Sequence, residues 1–424
     1  MSITRRSPRR LAAALTMAAA LSITAACGGA TTTTPGATGS SAAPAPSGGG
    51  SGQLTLLFGS SGQTETDALT AATQAWTATS GTAVTVTPAQ QLVQQLAQGF
   101  ASGQSPDVFY VGADQFANFA QAGNLWPYGD QLSNAADYYP ALKDSFTYDG
   151  QFYCAPKDFS TLALYINTDL WAAAGLTDAD IPTTWDQLAT VAGKLTAGPV
   201  TGLSINPSSD RLDAFLVQNG GYLVDDAGTP TADSEQNVQA LTYLKDLLSA
   251  GSLKFPKDVG AGDTGEAFGK GLAAMTVDGN WAVGGLAKDY PDVKYTVAEL
   301  PAGPSGDKGT LSFTNCWGIA ATSANKEAAK SLVEYLTTKD QQLAFAKAFA
   351  VLPSLQSAKA DYLSQFPANA PFVTVVDVAR GVVSAPGVTD VLSDFNAQLE
   401  GLATASPQEI LGSVQQNLTA AIGG

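Results

Sequence analysis

The sequence predicts an α/β protein built as two lobes, each a mainly parallel sheet flanked by helices. Two observations lead to this fold class. From Leu54 onward, short apolar runs of strand length alternate with stretches whose apolar residues recur at helical spacing. About 370 of the 424 residues remain once a leader and a linker are set aside, and that length exceeds a single α/β core.

The first third of the body supplies the clearest elements. The predicted order is strand 54–58, helix 64–79, strand 83–87, helix 90–101, strand 106–112 and a short helix that Gly123 ends. Further helices are predicted after Thr183 or Thr184 and around the apolar stripes that contain Leu244 and Leu332. Since strands and helices alternate, we expect parallel strands with helices on both faces.

Residues 1–26 resemble an export signal. Four arginines precede an apolar run of about 13 residues, which is shorter than a membrane-spanning helix. Residues 24–28 resemble a bacterial lipobox, which predicts that Cys27 is lipidated and becomes the mature N-terminus. An ordinary cleavage site that leaves Cys27 as a free thiol is the alternative.

Residues 27–52 are predicted to be a flexible, lipid-anchored linker. The segment carries no charge and consists almost wholly of Gly, Ser, Thr, Ala and Pro, so it cannot bury enough surface to fold. We therefore expect an exported protein on the outer face of the cell membrane, with the lipid on Cys27 as its only membrane contact.

The composition excludes several classes of function. The chain has no histidine, which excludes hydrolases with a histidine base and metal sites with histidine ligands, so we expect no metal and no cofactor. The net charge is −16, and without the four leader arginines 17 basic residues face 37 acidic ones, a net −20. Such a surface argues against nucleic-acid binding.

A rule of α/β sheets points to a first set of ligand residues. Ligands bind beyond the carboxyl ends of the strands, which selects residues 59–63, 88–91 and 112–115. These segments hold polar side chains suited to neutral polyols, and capping of the following helices is the alternative role for each. The candidates from this rule are Ser60, Gln63, Gln91 and Asp114.

Six stretches, in order along the chain, resemble the extracellular solute-binding proteins that feed ABC sugar importers, the maltose-binding-protein-like group. The resemblance covers roughly residues 54–424. Its most specific part is Tyr-Asp-Gly-Gln-Phe-Tyr-Cys-Ala-Pro-Lys-Asp at 148–158. The other stretches are 105–108 with 122–125, 164–171 with 174–176 and 182–186, 268–275, 279–281, and 317–320 with 326–329.

The resemblance implies two lobes joined by hinge strands, with a ligand captured when the cleft closes. It places residues 53–155 and 318–366 in lobe 1, and residues 156–317 and 367–424 in lobe 2. It also implies a monomer that delivers a carbohydrate, and an oligosaccharide in particular, to the permease subunits of an ABC transporter.

The resemblance also implies further ligand residues. Trp281, after Asp278-Gly279-Asn280, matches a tryptophan that often stacks on sugar in this family, because sugar C–H faces are apolar. The further candidates are Asp158, Tyr222, Asn315, Trp317 and Arg380. The alternative role for Asp158 is a helix cap or a salt bridge near Lys157, and for the aromatic candidates it is core packing. Arg211, with Asp210 and Asp213, is instead expected to be a surface group at a helix start.

Cys154 and Cys316 both fall on the hinge strands that the resemblance implies. Export places them in a compartment that permits disulfides, so we expect a bond between them. Two buried free thiols are the alternative.

Two other functions stay open at this point. A secreted glycoside hydrolase needs two carboxylates and no histidine, so composition does not exclude it. A binding protein for a polyamine, a peptide or an anion is the second alternative.

Overall fold

The structure is a computed structural model that describes residues 52–422. The expected signal peptide, Cys27 and nearly all of the expected linker lie outside the described residues. The strands are β1 Gln53–Phe58, β2 Ala83–Pro88, β3 Val108–Gly112, β4 Thr147–Tyr148, β5 Gln151–Phe152, β6 Pro156–Asn167, β7 Thr201–Ser204, β8 Leu253–Lys254, β9 Ala273–Gly279, β10 Tyr295–Ala298, β11 Thr310–Ile319 and β12 Ala379–Gly381.

Helices follow most of these strands. They are α1 Gln63–Ser80, α2 Leu92–Ser102, α3 Ala113–Gln121, α4 Pro140–Asp144, α5 Thr168–Ala173, α6 Trp185–Leu195, α7 Ser209–Gln218, α8 Glu235–Ser249, α9 Thr264–Gly269, α10 Trp281–Asp289, α11 Lys326–Leu336, α12 Lys339–Phe349, α13 Lys359–Gln365, α14 Ala370–Val373, α15 Val388–Leu399 and α16 Pro407–Ile422. The elements predicted from periodicity between 54 and 123 are confirmed, with small shifts at their ends.

Local chemistry explains where several helices begin and end. The Thr184 hydroxyl accepts a hydrogen bond from the Gln187 N–H, so Thr184 is the N-cap of α6. Gly81 ends α1 in the left-handed conformation at φ 74°, which a glycine adopts without steric cost.

The sheet has the strand order β2-β1-β3-β11-β6-β9-β7-β8. The predicted parallel pairing holds at both ends, where β1 is parallel to β2 and β3, and β7 is parallel to β8 and β9. In the middle, β11 is antiparallel to β3 and β6, and β6 is antiparallel to β9. The two long strands β6 and β11 therefore connect two parallel half-sheets.

Two separate hydrophobic cores surround these half-sheets. The first contains β1, β3 and the inner faces of α1 and α11. The second contains β7 and β9 with the inner faces of α6, α8, α15 and α16. Cys154 and Ala155, just before β6, lie in the first core, whereas Leu162, Leu164 and Ile166 of β6 lie in the second, so the chain passes from the first core to the second along this strand. The residue limits of the lobes stay a prediction.

A third cluster packs on the middle of β6. Phe159, Ala163 and Tyr165 of β6 contact side chains from the segment that follows α12, including Leu352 and Phe372. The Thr161 hydroxyl donates to the Phe372 carbonyl at 2.7 Å, and Leu352 forms an isolated bridge with Phe159. The chain thus returns along the hinge strands after α12, where the resemblance implies a third crossing.

A disulfide joins Cys154 and Cys316, with Cα atoms 5.6 Å apart. Cys316 lies on β11, and Cys154 lies two residues before β6. Both residues are buried in the first core. The bond therefore ties the two connecting strands together at their first-lobe ends. Within residues 52–422, no helix is both long enough and apolar enough to cross a membrane.

Replacing both cysteines with alanine is expected to lower the free energy of unfolding by about 2–5 kcal/mol, because the bond restricts an unfolded loop that spans 162 residues. Urea unfolding of the oxidised wild type and the double variant measures the change. Thiol counting on the denatured, unreduced wild type is the control and should find neither cysteine free. Equal midpoints for the two proteins, or two free thiols, would contradict a structural bond.

Candidate functional site

A cavity of about 720 Å³ lies between the two cores, at the carboxyl ends of β1, β3 and β9. The first lobe contributes Gly59, Ser61, Glu65, Tyr110, Gly112, Ala113, Asp114, Phe349 and Val351. The connecting strands contribute Lys157, Asp158, Ser160, Leu311, Phe313, Thr314 and Asn315. The second lobe contributes Ser209, Asp210, Asp213, Tyr222, Trp281, Val382, Val383, Thr389, Leu392, Ser393 and Asn396. This is the position that the strand-end rule predicts.

Strand register places Asn315 at the centre of the cavity wall. On one side Asn315 is paired with Gly112 of β3, and on the other with Asp158 of β6. The β6–β11 register shifts between Asn315 and Cys316. At Gly112 a Cβ would collide with the Asp114 carboxylate, so glycine is needed for Asp114 to lie against the strand end. Asp158 and Asn315 thus line the cavity from the adjacent strands β6 and β11, and Asp114 lines it from the start of α3.

A buried lysine organises the first-lobe end of the cavity. Lys157 Nζ lies 3.6 Å from Glu65 Oε1, forms an ion pair with the Asp158 carboxylate, and lies 4.6 Å from the ring centroid of Tyr110. Glu65 accepts hydrogen bonds from the N–H and hydroxyl of Ser61, both at 2.7 Å, and from the Tyr110 hydroxyl at 3.0 Å. The Lys157 ammonium therefore forms ion pairs with both Glu65 and Asp158.

The two carboxylates respond differently to this environment. Burial raises the pKa of Asp158 above its ordinary value, and the Lys157 ammonium only partly offsets this effect. Burial acts on Glu65 too, but Lys157 and the hydrogen bonds from Ser61 and Tyr110 outweigh it, so the pKa of Glu65 is lowered. Of the two carboxylates, Glu65 is therefore the one whose ionised form its surroundings stabilise more strongly.

Trp281 forms an aromatic wall of the cavity. Its side chain is 41% exposed, which makes it one of the most exposed large apolar residues between 52 and 422. The Phe313 ring meets it edge-on, with centroids 5.2 Å apart. A Cβ on Gly279 would collide with the indole, so the glycine lets the ring fold back over the end of β9. Trp281 is therefore held in place and still presents an open surface.

Arg211 supports this wall from a neighbouring cavity of about 410 Å³, which Trp281 also lines. The Arg211 guanidinium carbon lies 5.0 Å from the centroid of the Trp281 ring. Its Nη2 donates to Asp278 Oδ1 at 3.0 Å, and its Nη1 donates to Asp210 Oδ2 at 2.9 Å. The guanidinium is thereby fixed as a platform beneath the indole.

The expectation that Arg211 is a surface group is wrong. Arg211 is only 8% exposed, and Asp213 beside it is 3% exposed. The physical reason is the long-range partner Asp278, which lies at the end of β9 and 67 residues further along the chain. Asp278 also accepts a hydrogen bond from the Thr264 hydroxyl at 2.9 Å, so the ion pair is built into the second lobe.

The cavity brings together part of the expected ligand set. Its lining includes Asp114, Asp158, Tyr222, Trp281 and Asn315. Tyr222 is nearly buried, and its hydroxyl donates to the Gly381 carbonyl at 2.7 Å. These placements agree with the expected contacts, which stay predictions until a ligand is bound.

The remaining expected ligand residues do not line this cavity. The Ser60 hydroxyl is hydrogen-bonded to Thr66 at the start of α1. Gln63 is exposed and its amide donates to Asp67, one turn along the same helix. Gln91 is exposed at the N-cap of α2. None of these three side chains donates or accepts a capping hydrogen bond at its helix start, so their expected ligand contacts stay predictions.

Trp317 and Arg380 are also placed elsewhere. Trp317 is 1% exposed in the first core, edge-on to Tyr110 with centroids 4.8 Å apart. Arg380 forms an ion pair with Asp226, donates to the Val224 carbonyl at 3.1 Å and lies 5.1 Å from the Tyr222 ring centroid. Trp317 thus acts in packing, and Arg380 supports the far side of Tyr222.

Sequence reasoning missed four charged residues of the cavity, Glu65, Lys157, Asp210 and Asp213. A signal was present for the last two, because α7 follows the parallel strand β7 and its first turns lie beyond that strand's carboxyl end. The segments that the strand-end rule selects above, 59–63, 88–91 and 112–115, all follow first-lobe strands and do not include the start of α7. For Glu65 and Lys157 no local pattern marks the contact, since they are 92 positions apart.

The chain matches the family described as bacterial extracellular solute-binding protein over residues 61–343. A Brucella abortus protein named as a binding protein is 25% identical over 323 residues, which cover 73% of this chain and 78% of the relative. The diacetylchitobiose binding protein of Streptomyces coelicolor is 24% identical over 282 residues, which cover 63% of this chain and 65% of the relative.

Solved structures agree on the fold. The cyclic alpha-maltosyl-1,6-maltose binding protein of Arthrobacter globiformis matches with a TM-score of 0.77 and 21% identity, over 88% of this chain and 99% of that one. The two-lobed fold that the resemblance implied is confirmed. With the family matched over more than half of its length, this chain belongs to the bacterial extracellular solute-binding proteins.

Proposed function

We propose that this protein captures an oligosaccharide in the cavity between its lobes and delivers it to the permease of an ABC transporter. The observation that carries the proposal is the exposed Trp281 indole in a cavity that also presents carboxylates, hydroxyls and amides. Sugars have apolar C–H faces and a rim of hydroxyls, so they need an aromatic surface together with polar partners.

The size and wall chemistry of the cavity support a ligand of more than one sugar ring. Its volume of about 720 Å³ lies in the upper part of the usual range for small-molecule sites, about 300–1,000 Å³. Asp158 and Asn315 offer oxygen acceptors from the connecting strands, while Trp281 faces the same space from the second lobe. Relatives named for diacetylchitobiose and cyclic alpha-maltosyl-1,6-maltose support the same ligand class.

We further propose that the protein binds without catalysis. A glycoside hydrolase needs one carboxylic acid and one base or nucleophile on opposite sides of the scissile bond. In this cavity Glu65 and Asp158 share the Lys157 ammonium, and Asp210 is paired with Arg211. For these three of the five cavity carboxylates, the ion pairs favour binding over proton transfer, while Asp114 and Asp213 form no ion pair within residues 52–422.

Calorimetry with mono- and oligosaccharides, run beside an assay for released reducing sugar, tests both proposals. We expect saturable binding of an oligosaccharide with no new reducing ends. Turnover would identify a secreted carbohydrate-active enzyme. Binding of a polyamine, peptide or anion, with no response to any sugar, would identify a different solute.

A lipid anchor on Cys27 and a monomeric state belong to the same proposal. The lipobox-like sequence and the uncharged linker support an exported protein tethered to the outer face of the cell membrane. Mass spectrometry of the mature protein should find a diacylated Cys27, and an unmodified Cys27 would remove the anchor.

Replacing Trp281 with alanine is expected to weaken oligosaccharide affinity at least about tenfold, a loss of roughly 1.4 kcal/mol, because the ring loses its stacking surface. Calorimetry on folded protein measures the change. Trp126→Ala is the matched control, since this partly buried loop tryptophan does not line the cavity. Equal affinities for wild type and Trp281→Ala would show that the ligand binds elsewhere.

Replacing Arg211 with methionine is expected to lower the free energy of unfolding by about 3–5 kcal/mol, because the buried Asp278 carboxylate loses its cation. Denaturant unfolding measures the loss. Lys257→Met removes a cation from the exposed pair with Glu400 and should cost less than about 1 kcal/mol. Similar losses in the two variants would contradict a buried structural role for Arg211.

A further inference from the structure

Asp213 is a buried carboxylate that lines the main cavity and has an unpartnered oxygen. The residue is 3% exposed, and its Oδ1 has no hydrogen-bond partner among the described residues. Burial and the nearby Asp210 carboxylate raise its pKa well above the ordinary value. A buried carboxyl group with an unpartnered oxygen destabilises the free protein.

The fold offers no structural role for this side chain. Asp213 is the fifth residue of α7, too far into the helix to cap its first N–H groups. The nearest cation along the chain, Arg211, is already bound to Asp210 and Asp278. Arg380, which lies against the Tyr222 ring, is bound to Asp226. Asp213 forms no ion pair within residues 52–422 and therefore has no cation of its own.

The two ends of the cavity differ in charge for this reason. At the first-lobe end, Lys157 compensates the carboxylates of Glu65 and Asp158. At the second-lobe end, Asp213 of α7 lines the cavity together with polar side chains of α15, among them Ser393 and Asn396. The Asn396 amide oxygen accepts a hydrogen bond from the Ser209 N–H at 2.7 Å, which fixes α15 against the start of α7. A preformed pocket thus surrounds an uncompensated carboxylate.

We propose that the Asp213 pocket binds a protonated amine of the ligand, so that the captured oligosaccharide contains an amino sugar with a free amino group. This inference rests on the proposed function and narrows its substrate class. An ammonium supplies both the positive charge and the hydrogen-bond donors that Asp213 lacks. A neutral hydroxyl supplies a donor but no positive charge to stabilise the ionised form of Asp213, and a linear polyamine offers no ring face to Trp281.

Calorimetry with three disaccharides that differ only at C2 tests the proposal. The ligands are the β-1,4-linked glucosamine disaccharide, its N-acetylated form and cellobiose, in a buffer where the amine is protonated. For the wild type we expect the amine form to bind at least about tenfold more tightly than the other two, as a charge-assisted hydrogen bond predicts.

Asp213→Asn should abolish this preference, so that the amine form binds no more tightly than cellobiose. The melting temperature of this variant should be no lower than that of the wild type, because an unpartnered buried carboxyl is replaced by a neutral group of the same shape. Asp233→Asn is the matched control, since it removes an exposed lobe 2 carboxylate outside the cavity, and it should retain the preference.

The other outcomes distinguish a failure of the amine pocket from a failure of the proposed sugar capture. Equal binding of all three disaccharides by the wild type, or an unchanged preference in Asp213→Asn, would overturn the amine pocket and leave sugar capture intact. Binding of spermidine with no response to any disaccharide would overturn the amino-sugar assignment together with the proposed function.

Discussion

Strands β6 and β11 cross from one core to the other, and their antiparallel register fixes the relative positions of the cavity groups. Asn315 is paired with Asp158 on one side and with Gly112 on the other, so three strands meet at the same point of the wall. The disulfide between Cys154 and Cys316 secures the first-lobe ends of these strands. Rotation of one lobe about this pair would change the width of the cavity and leave the Asp158–Asn315 neighbourhood unchanged.

The two ends of the cavity differ in whether their carboxylates have a cation as a partner. Lys157 follows the start of β6 and reaches Glu65 of α1, so the first-lobe carboxylates gain a cation from the hinge itself. In the second lobe, the Arg211 guanidinium is drawn away from the cavity by Asp278 and lies beneath Trp281. The Arg211–Asp278 ion pair therefore supports Trp281, and it leaves Asp213 without a cation.

Local patterns in the sequence were sufficient for the elements and for part of the site. Alternating periodicity predicted β1 to α3 closely, and the resemblance singled out Trp281, which follows β9 and lines the cavity. The burial of Arg211 was not predictable in this way, because it depends on a partner 67 residues away. The burial of Trp317 was not predictable for a related reason. A tryptophan on a hinge strand can face the core or the cleft, and strand register decides between them.

We propose above all that a sugar ring stacks on Trp281 between the two lobes. A crystal structure of the protein with a bound oligosaccharide tests it most directly. We expect one ring face against the Trp281 indole, with hydroxyls of the same ligand at Asp158 and Asn315. A sugar bound outside this cavity, or a ligand in the cavity that leaves the Trp281 face uncovered, would contradict the claim.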